Sequence, residues 1–339
     1  MKTAVVLFNL GGPDQIENVK PFLFNLFNDK KIINIPNPLR FILARLISNR
    51  RNKEATEIYE QIGGKSPILD TTINQAKELE NWLNENTLHE NKVFVCMRYW
   101  HPMTEEVVRK VKEYNPDNIF LLPLYPQYST ATTESSLEEW FKKSKGAKLI
   151  KPTRHVCCYP DNTTFLKSHI ELIKKKIQIL KNYRILFSAH GLPEITIKRG
   201  DPYQWQIEKT VGGIVQLMNE SSYIICYQSR VGPLKWIGPS TTEAIDQAIN
   251  DNVEIVIVPI AFVSDHSETL VELDIEYREY AKQKDFDKYH VVPALNINKT
   301  FISSLGNIVK KGLISKDEGN TMNRICPIHF KKCKNNNAL

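Results

Sequence analysis

The segment SDHSETLVELDIEY, residues 264–277, sets Asp265, His266, Glu268, Glu272, Asp274 and Glu276 directly after VEIVIVPIAFV, one of the most apolar runs in the chain. A carboxylate row beside an imidazole, at the end of a buried strand, can bind a divalent cation or relay protons. Ser264 and Asp265 are N-cap residue types, so a helix is predicted from near His266. Glu268, Glu272 and Glu276 then stand four apart on one face. Like charges at that spacing repel by a few tenths of a kcal/mol, roughly, when solvated. In the plain reading the early acids favour the positive end of the helix dipole and the rest, Asp274 and Glu276, face water. Asp265, His266 and Glu268 sit at the strand end itself and read as functional. A second histidine joins them. His190 closes the strand RILF in FSAHGLPE and precedes a glycine that leaves room for a ligand.

The elements that must position these groups are short β-branched runs alternating with amphipathic stretches. TAVVLF, KVFVCM, NIFLLPLY and AKLIKP fall in the first half, and RILFSA, SYIICY, VEIVIVPIAF and YHVVPAL in the second. Strand–helix–strand alternation predicts parallel sheets covered on both faces. The halves resemble each other. LLPLYPQYSTATTESSLEEW and VIVPIAFVSDHSETLVEL each run from a proline-bearing strand through a Ser/Thr-rich turn into a helix. The expectation is an α/β protein of two similar Rossmann-like lobes, each a parallel sheet of about four strands flanked by helices. The lobes are expected at 1–158 and 159–312, with a cysteine-containing tail at 313–339. Ligands of such sheets bind at the carboxyl ends of the strands. The segments there are NLGGPD, RYWHP, YPQYSTATT, HGLPE, YQSRVG and SDHSET, with neither GxGxxG nor a P-loop among them.

Composition narrows the function classes. The chain has 339 residues, 42% hydrophobic and 24% charged, with a net charge of +7. That is length for about two domains, and the mild basicity fits acidic ligands or anionic lipid. No RNP motif, zinc finger or long basic arm supports nucleic acid. No apolar run reaches the roughly 18 residues of a spanning helix. MKTAVVLFNLGGPD lacks a signal-peptide cleavage pattern, so a cytoplasmic protein is expected. Six cysteines in a chain this long are not a disulfide framework, and Cys96 and Cys226 fall inside strand runs as core residues.

Six segments in order, YEQIGGKSPI, RYWHPMTEE, LYPQYSTATTESS, FSAHGLPEITIKRGDPY, YQSRVGPLKWIGPST and VPIAFVSDHSETLVELDIEY, resemble the ferrochelatases over about residues 3–310. The resemblance implies the chelatase fold and insertion of Fe2+, as substrate, into protoporphyrin IX to give protohaem. It implies that His190 and Glu268 are the catalytic and metal-contacting pair, and that Asp265, His266 and Glu272 form an acidic path for protons or metal. It further implies porphyrin contacts at Arg51, Ser66, Arg98, Tyr99, Tyr125 and Trp236. Lys65, where many relatives have a third glycine, and Ile33, where some have methionine, depart from the pattern. Ordinary core packing is the competing reading for Tyr125. A chelatase for another metal or for coproporphyrin, and a non-enzymatic haem or metal carrier, remain alternatives.

Two further segments carry expectations. IPNPLRFILARLISNRR, within a lip at about 33–52, sets Leu39, Ile42, Leu43, Leu46 and Ile47 on one helical face flanked by Arg40, Arg45, Arg50 and Arg51. That is the pattern of a helix lying in a membrane interface or packed on a core. With the resemblance, it implies peripheral attachment to the inner face of the cytoplasmic membrane. Some ferrochelatases hold a [2Fe–2S] cluster. Cys157, Cys158, Cys326 and Cys333 would supply its four thiolates, although Asn335 stands where a third tail cysteine is common. Free thiols are the other reading. Oligomeric state is left open, a homodimer included.

Overall fold

In the computed structural model, residues 1–335 are described apart from 231, 233, 316 and 317. Positions 231 and 233 of the YQSRVGPLKWIGPST motif lie outside the described residues, as do 316, 317 and 336–339 of the tail. The chain forms two compact units, Met1–Cys158 with Leu305–Arg324, and Tyr159–Ser304 with the tail from Ile325.

The first unit is built on strands β1 (Lys2–Asn9), β2 (Glu90–Met97), β3 (Asn118–Pro123) and β4 (Thr153–His155). The second is built on β5 (Tyr183–His190), β6 (Tyr223–Gln228), β7 (Glu254–Pro259) and β8 (Tyr289–Val291). A two-residue strand, β9 (Gly319–Asn320), extends the first sheet. The sheets run β2-β1-β3-β4-β9 and β6-β5-β7-β8, and every pairing is parallel. Each sheet thus places its first strand between its second and third. Burial on both faces explains the unbroken apolar runs, as Ala4–Phe8 and Ile255–Val258 are all enclosed. Helices cover the sheets through faces of helical period; Thr104, Val107, Val108 and Val111 of the helix Thr104–Tyr114 are buried.

Two details depart from expectation. The fourth strand is not AKLIKP but the three residues that follow it. Lys148 turns the chain with φ of 54°, and Ile150 faces solvent. The acidic helix begins later and wider than predicted, as a π-helix over Glu268–Glu276 that continues as an α-helix over Tyr277–Lys282. Asp265 does not cap it. Its carboxylate instead accepts from the Thr269 hydroxyl at 2.9 Å, Asn296 Nδ2 at 2.6 Å and the Ala294 N–H at 3.3 Å. A matching π-turn, Thr130–Glu134, follows β3 in the first unit. Such turns are rare and frequently sit at functional sites.

The π-turn of the first unit is fastened by a partly enclosed ion-pair network. Lys31 Nζ lies 2.7 Å from both Glu134 Oε1 and Glu138 Oε1, and Tyr128 donates to Glu134 Oε2 at 2.8 Å. Beside it, Asp29 accepts from Arg98 Nη2 at 2.8 Å, Tyr99 at 2.9 Å and Ser135. Burial opposes ionisation of Glu134, but Lys31 and Tyr128 outweigh it and hold the carboxyl at about 2. Because that value lies below the ordinary 4.5, the pair's stabilisation is full above pH 4.5 and is lost as pH falls toward 2. Lys31→Met leaves Glu134 enclosed without its cation. It is expected to lower unfolding stability at neutral pH by about 3 kcal/mol, measured by chemical denaturation, with the deficit shrinking in acid.

Candidate functional site

His190 is the last residue of β5 and pairs in register with Gln228, the last of β6. The parallel pairing therefore sets their side chains at neighbouring strand ends. Gly191 follows because nothing larger fits: a Cβ there would stand 2.8 Å from the Gln228 carbonyl and 3.2 Å from the Trp236 ring. Tyr203 donates to the His190 carbonyl at 3.0 Å and fixes the backbone from behind.

Glu268 opens the π-helix after β7 and meets His190 there, with Nδ1 and Oε2 2.9 Å apart. An ionised carboxylate only accepts, so Nδ1 carries the hydrogen. Nε2, which has no protein partner among the described residues, is then the basic nitrogen. Gln228 and Ser229 complete the cluster. The Ser188 hydroxyl donates to Gln228 Oε1 at 2.8 Å, which turns Nε2 of that amide toward Glu272 at 3.3 Å and Glu268 at 3.5 Å. Ser229 donates its N–H to Glu272 Oε1 at 2.8 Å, and its hydroxyl contacts Oε2 of both glutamates. Tyr277 donates to Glu272 Oε1 at 2.8 Å.

The electrostatics separate the two carboxyls. The His190 side chain is half-buried, with 37% exposure. Burial pulls its pKa down, but the charge and hydrogen bond of Glu268 outweigh this and leave it raised. Burial likewise opposes ionisation of Glu268, and His190, His266 and the Ser229 hydroxyl overcome it, so its pKa is lowered. Glu272 goes the other way, because burial and the Glu268 charge both disfavour a second anion. One carboxylate is thereby held ionised beside an imidazole, with a second carboxyl next to it that accepts a proton more readily.

Of the acidic path, Glu272 joins this cluster. Asp265 is taken up by Asn296 and Thr269, and His266 is buried against Phe262, with ring centroids 4.4 Å apart and Nδ1 3.2 Å from the Ser264 carbonyl. Asp274 pairs with Arg278 along its own helix, as the solvated-face reading holds. Trp236 is half-buried against Gly191 and pairs with Pro193 in an isolated bridge.

The remaining candidates lie in the first unit. Arg98 follows β2 and binds Asp29 and Ser135. Tyr99 is enclosed with Phe22, Leu23 and Tyr59, its hydroxyl on Asp29. Ser66 is buried at a turn, its N–H on the Pro13 carbonyl at 2.8 Å. Tyr125 packs against the core beside β3, and Arg51 sits on the helix Leu39–Glu60, 3.8 Å from Glu54. Lys65 is exposed and pairs with Asp70. Sequence reasoning left Ser229, Gln228, Tyr277 and Asp29 unassigned. The only available signal was the position of YQSRVG at a strand end.

Cys96 and Cys226 are buried in the sheets, and the other four cysteines fall as one buried pair in each unit. Cys157 and Cys158 have Sγ atoms 3.2 Å apart, while Cys326 and Cys333 pack with Phe330, and Cys326 accepts from Gln206 Nε2 at 3.1 Å. Neither pair alone is the four-thiolate set of an iron–sulphur cluster. Among the described residues no group of three or more His, Cys, Asp or Glu is arranged to hold a metal ion.

Two parallel sheets with this strand order, the second carrying a histidine–carboxylate pair beyond the carboxyl ends of its strands, define a chelatase fold. SirB from Bacillus subtilis with Fe3+ aligns with a TM-score of 0.57 over 92% of this chain and 96% of that one at 11% identity. The sirohydrochlorin chelatase SirB in complex with cobalt aligns with a TM-score of 0.54 over 92% and 95% at 9% identity. Likeness at such identities concerns the fold. The sequence is more specific. Residues 2–313 match the Ferrochelatase family profile. The ferrochelatase of Pelagibacter ubique is 52% identical over 338 residues, 98% of each chain. That of Rickettsia bellii is 49% identical over 98% of this chain and 94% of its own. The chain belongs to the ferrochelatase family.

Proposed function

We infer that this chain is a ferrochelatase that inserts Fe2+ into protoporphyrin IX through His190 and Glu268. The observation that carries the reading is the 2.9 Å contact between His190 Nδ1 and Glu268 Oε2, which leaves Nε2 basic and without a partner among the described residues. The free porphyrin carries two pyrrole N–H hydrogens, and both leave as protons while Fe2+ binds the four nitrogens. Neutral His190 takes a pyrrole proton at Nε2, and Glu268 stabilises the imidazolium that forms. Glu272, whose raised pKa suits it to accept, receives protons leaving the pair. Trp236 offers a flat apolar wall beside His190. Tyr99, with its hydroxyl on Asp29 and its ring enclosed, is held within the first unit. Anaerobic incubation with Fe2+ and, in separate samples, protoporphyrin IX or coproporphyrin tests the reading. Turnover with protoporphyrin IX is expected, and binding without turnover would reduce the chain to a carrier.

Attachment to the inner face of the cytoplasmic membrane is part of the proposal. On the helix Leu39–Glu60, Leu39, Ile42, Leu43 and Leu46 are 62%, 53%, 36% and 61% exposed, while Ala44 and Ser48 face inward. The apolar face thus points to solvent, as an interfacial helix requires. No helix of the described residues is long and apolar enough to cross a membrane. Leu43→Glu with Leu46→Glu is expected to abolish liposome binding while turnover with detergent-dispersed porphyrin persists; unchanged binding would remove the lip from the account. A [2Fe–2S] cluster enters no step here. Visible absorbance of porphyrin-free protein made anaerobically with iron decides that question, since a colourless protein excludes the cluster.

A further inference from the structure

We propose that Ser229 is a positioning residue for chelation: its hydroxyl ties Glu268 to Glu272 and so aims the carboxylate that orients His190. The inference rests on the chelation reading and adds to it a residue that touches neither the histidine nor a substrate atom.

The local backbone makes the case. At the end of β6, Ser229 adopts φ of 60°, a left-handed conformation that side-chain-bearing residues other than Asn and Asp seldom accept. A turn alone would be better served by glycine, which enters this region without steric penalty. What serine adds over glycine is its hydroxyl. The left-handed turn points the N–H and the hydroxyl of one residue at the same pair of carboxyls. The N–H holds Glu272 Oε1 at 2.8 Å, while Oγ lies 2.5 Å from Glu272 Oε2 and 3.2 Å from Glu268 Oε2. The Glu268 oxygen it reaches is the one that receives His190 Nδ1.

The rest of the cluster cannot replace this bridge. Gln228 Nε2 stands farther from both glutamates, at 3.3 and 3.5 Å, and Tyr277 reaches Glu272 alone. Without the hydroxyl, Glu272 stays anchored by the Ser229 N–H and Tyr277, whereas Glu268 loses its closest tie other than His190. The carboxylate is then free to rotate and to release the imidazole. Outer partners of this kind act through the group they hold, and their loss costs activity rather than substrate affinity.

The test compares wild type, Ser229→Gly and Ser229→Asn in anaerobic Fe2+ insertion. Glycine keeps the left-handed turn and its N–H and removes only the hydroxyl. Asparagine tolerates the conformation and restores a side-chain donor. Ser229→Gly is expected to lose about 10- to 100-fold in kcat, with the porphyrin KM within about twofold of wild type, as for a group acting only on the chemical step, and with no fall in melting temperature. Ser229→Asn is expected to recover most of the loss. Wild-type kcat in Ser229→Gly overturns the proposal. So does a loss that appears in KM or melting temperature instead, or one that asparagine leaves unrelieved. Absence of turnover in the wild-type arm would sink the chelation reading itself, so the two failures are distinguishable.

Discussion

His190→Ala is expected to lower kcat for Fe2+ insertion by about 10³-fold or more, the effect of removing a positioned general base, while porphyrin binding stays near wild type. The loss corresponds to about 4 kcal/mol of transition-state stabilisation. The ring sits at a strand end, with Nδ1 held by Glu268 and Nε2 unpartnered among the described residues. Its removal therefore takes away the proton acceptor and leaves Trp236 and the Gly191 turn in place. Porphyrin titration by fluorescence quenching, alongside turnover, separates the two effects. A matching loss of porphyrin affinity would make His190 a binding residue instead.

Glu268→Gln carries the second large effect, expected to be about 100-fold in kcat, since the carboxylate fixes the tautomer and orientation of the base. The pH dependence has a definite sign. His190 acts as a base only when neutral, so activity falls as pH drops through its pKa. Glu268 outweighs burial and holds that pKa above its usual value. Glutamine removes the charge, the pKa falls, and the acid limb of kcat/KM moves to lower pH even though the plateau is reduced. Profiles recorded between about pH 5 and 9 resolve both changes. A limb that stays in place or moves upward would show that Glu268 does not set the charge state of His190.

Seven of the eight longer strands were readable because parallel sheets enclose both strand faces, which writes each strand as a largely apolar run. The fourth was displaced because three residues carry too little pattern to outweigh the neighbouring LEU-ILE run, whose lysine turns the chain. His190 and Glu268 were each recognisable at a strand end, but they stand 78 residues apart in sequence, and only the strand order joins them. Asp265 shows the opposite limit. A carboxylate at a strand end reads as functional, yet its Asn296 partner lies on a distant loop and makes it a clamp. Ser229 carried only the signal of its strand-end segment and Tyr277 none, because serine and tyrosine near a strand end or helix start are commonplace. The left-handed turn and the two shared carboxylates set Ser229 apart, and the bond to Glu272 sets Tyr277 apart. On the lip, the apolar spacing was legible, but which way the face points was not. Ala44 and Ser48 are the side that is covered.

Anaerobic single-turnover mixing of Fe2+ with protein that already holds protoporphyrin bears most directly on the central claim, because it isolates insertion from porphyrin binding and product release. Wild type is predicted to convert the bound porphyrin to haem, while His190→Ala holds it unconverted over the same interval. Haem formed by the alanine variant at the wild-type rate would contradict the account.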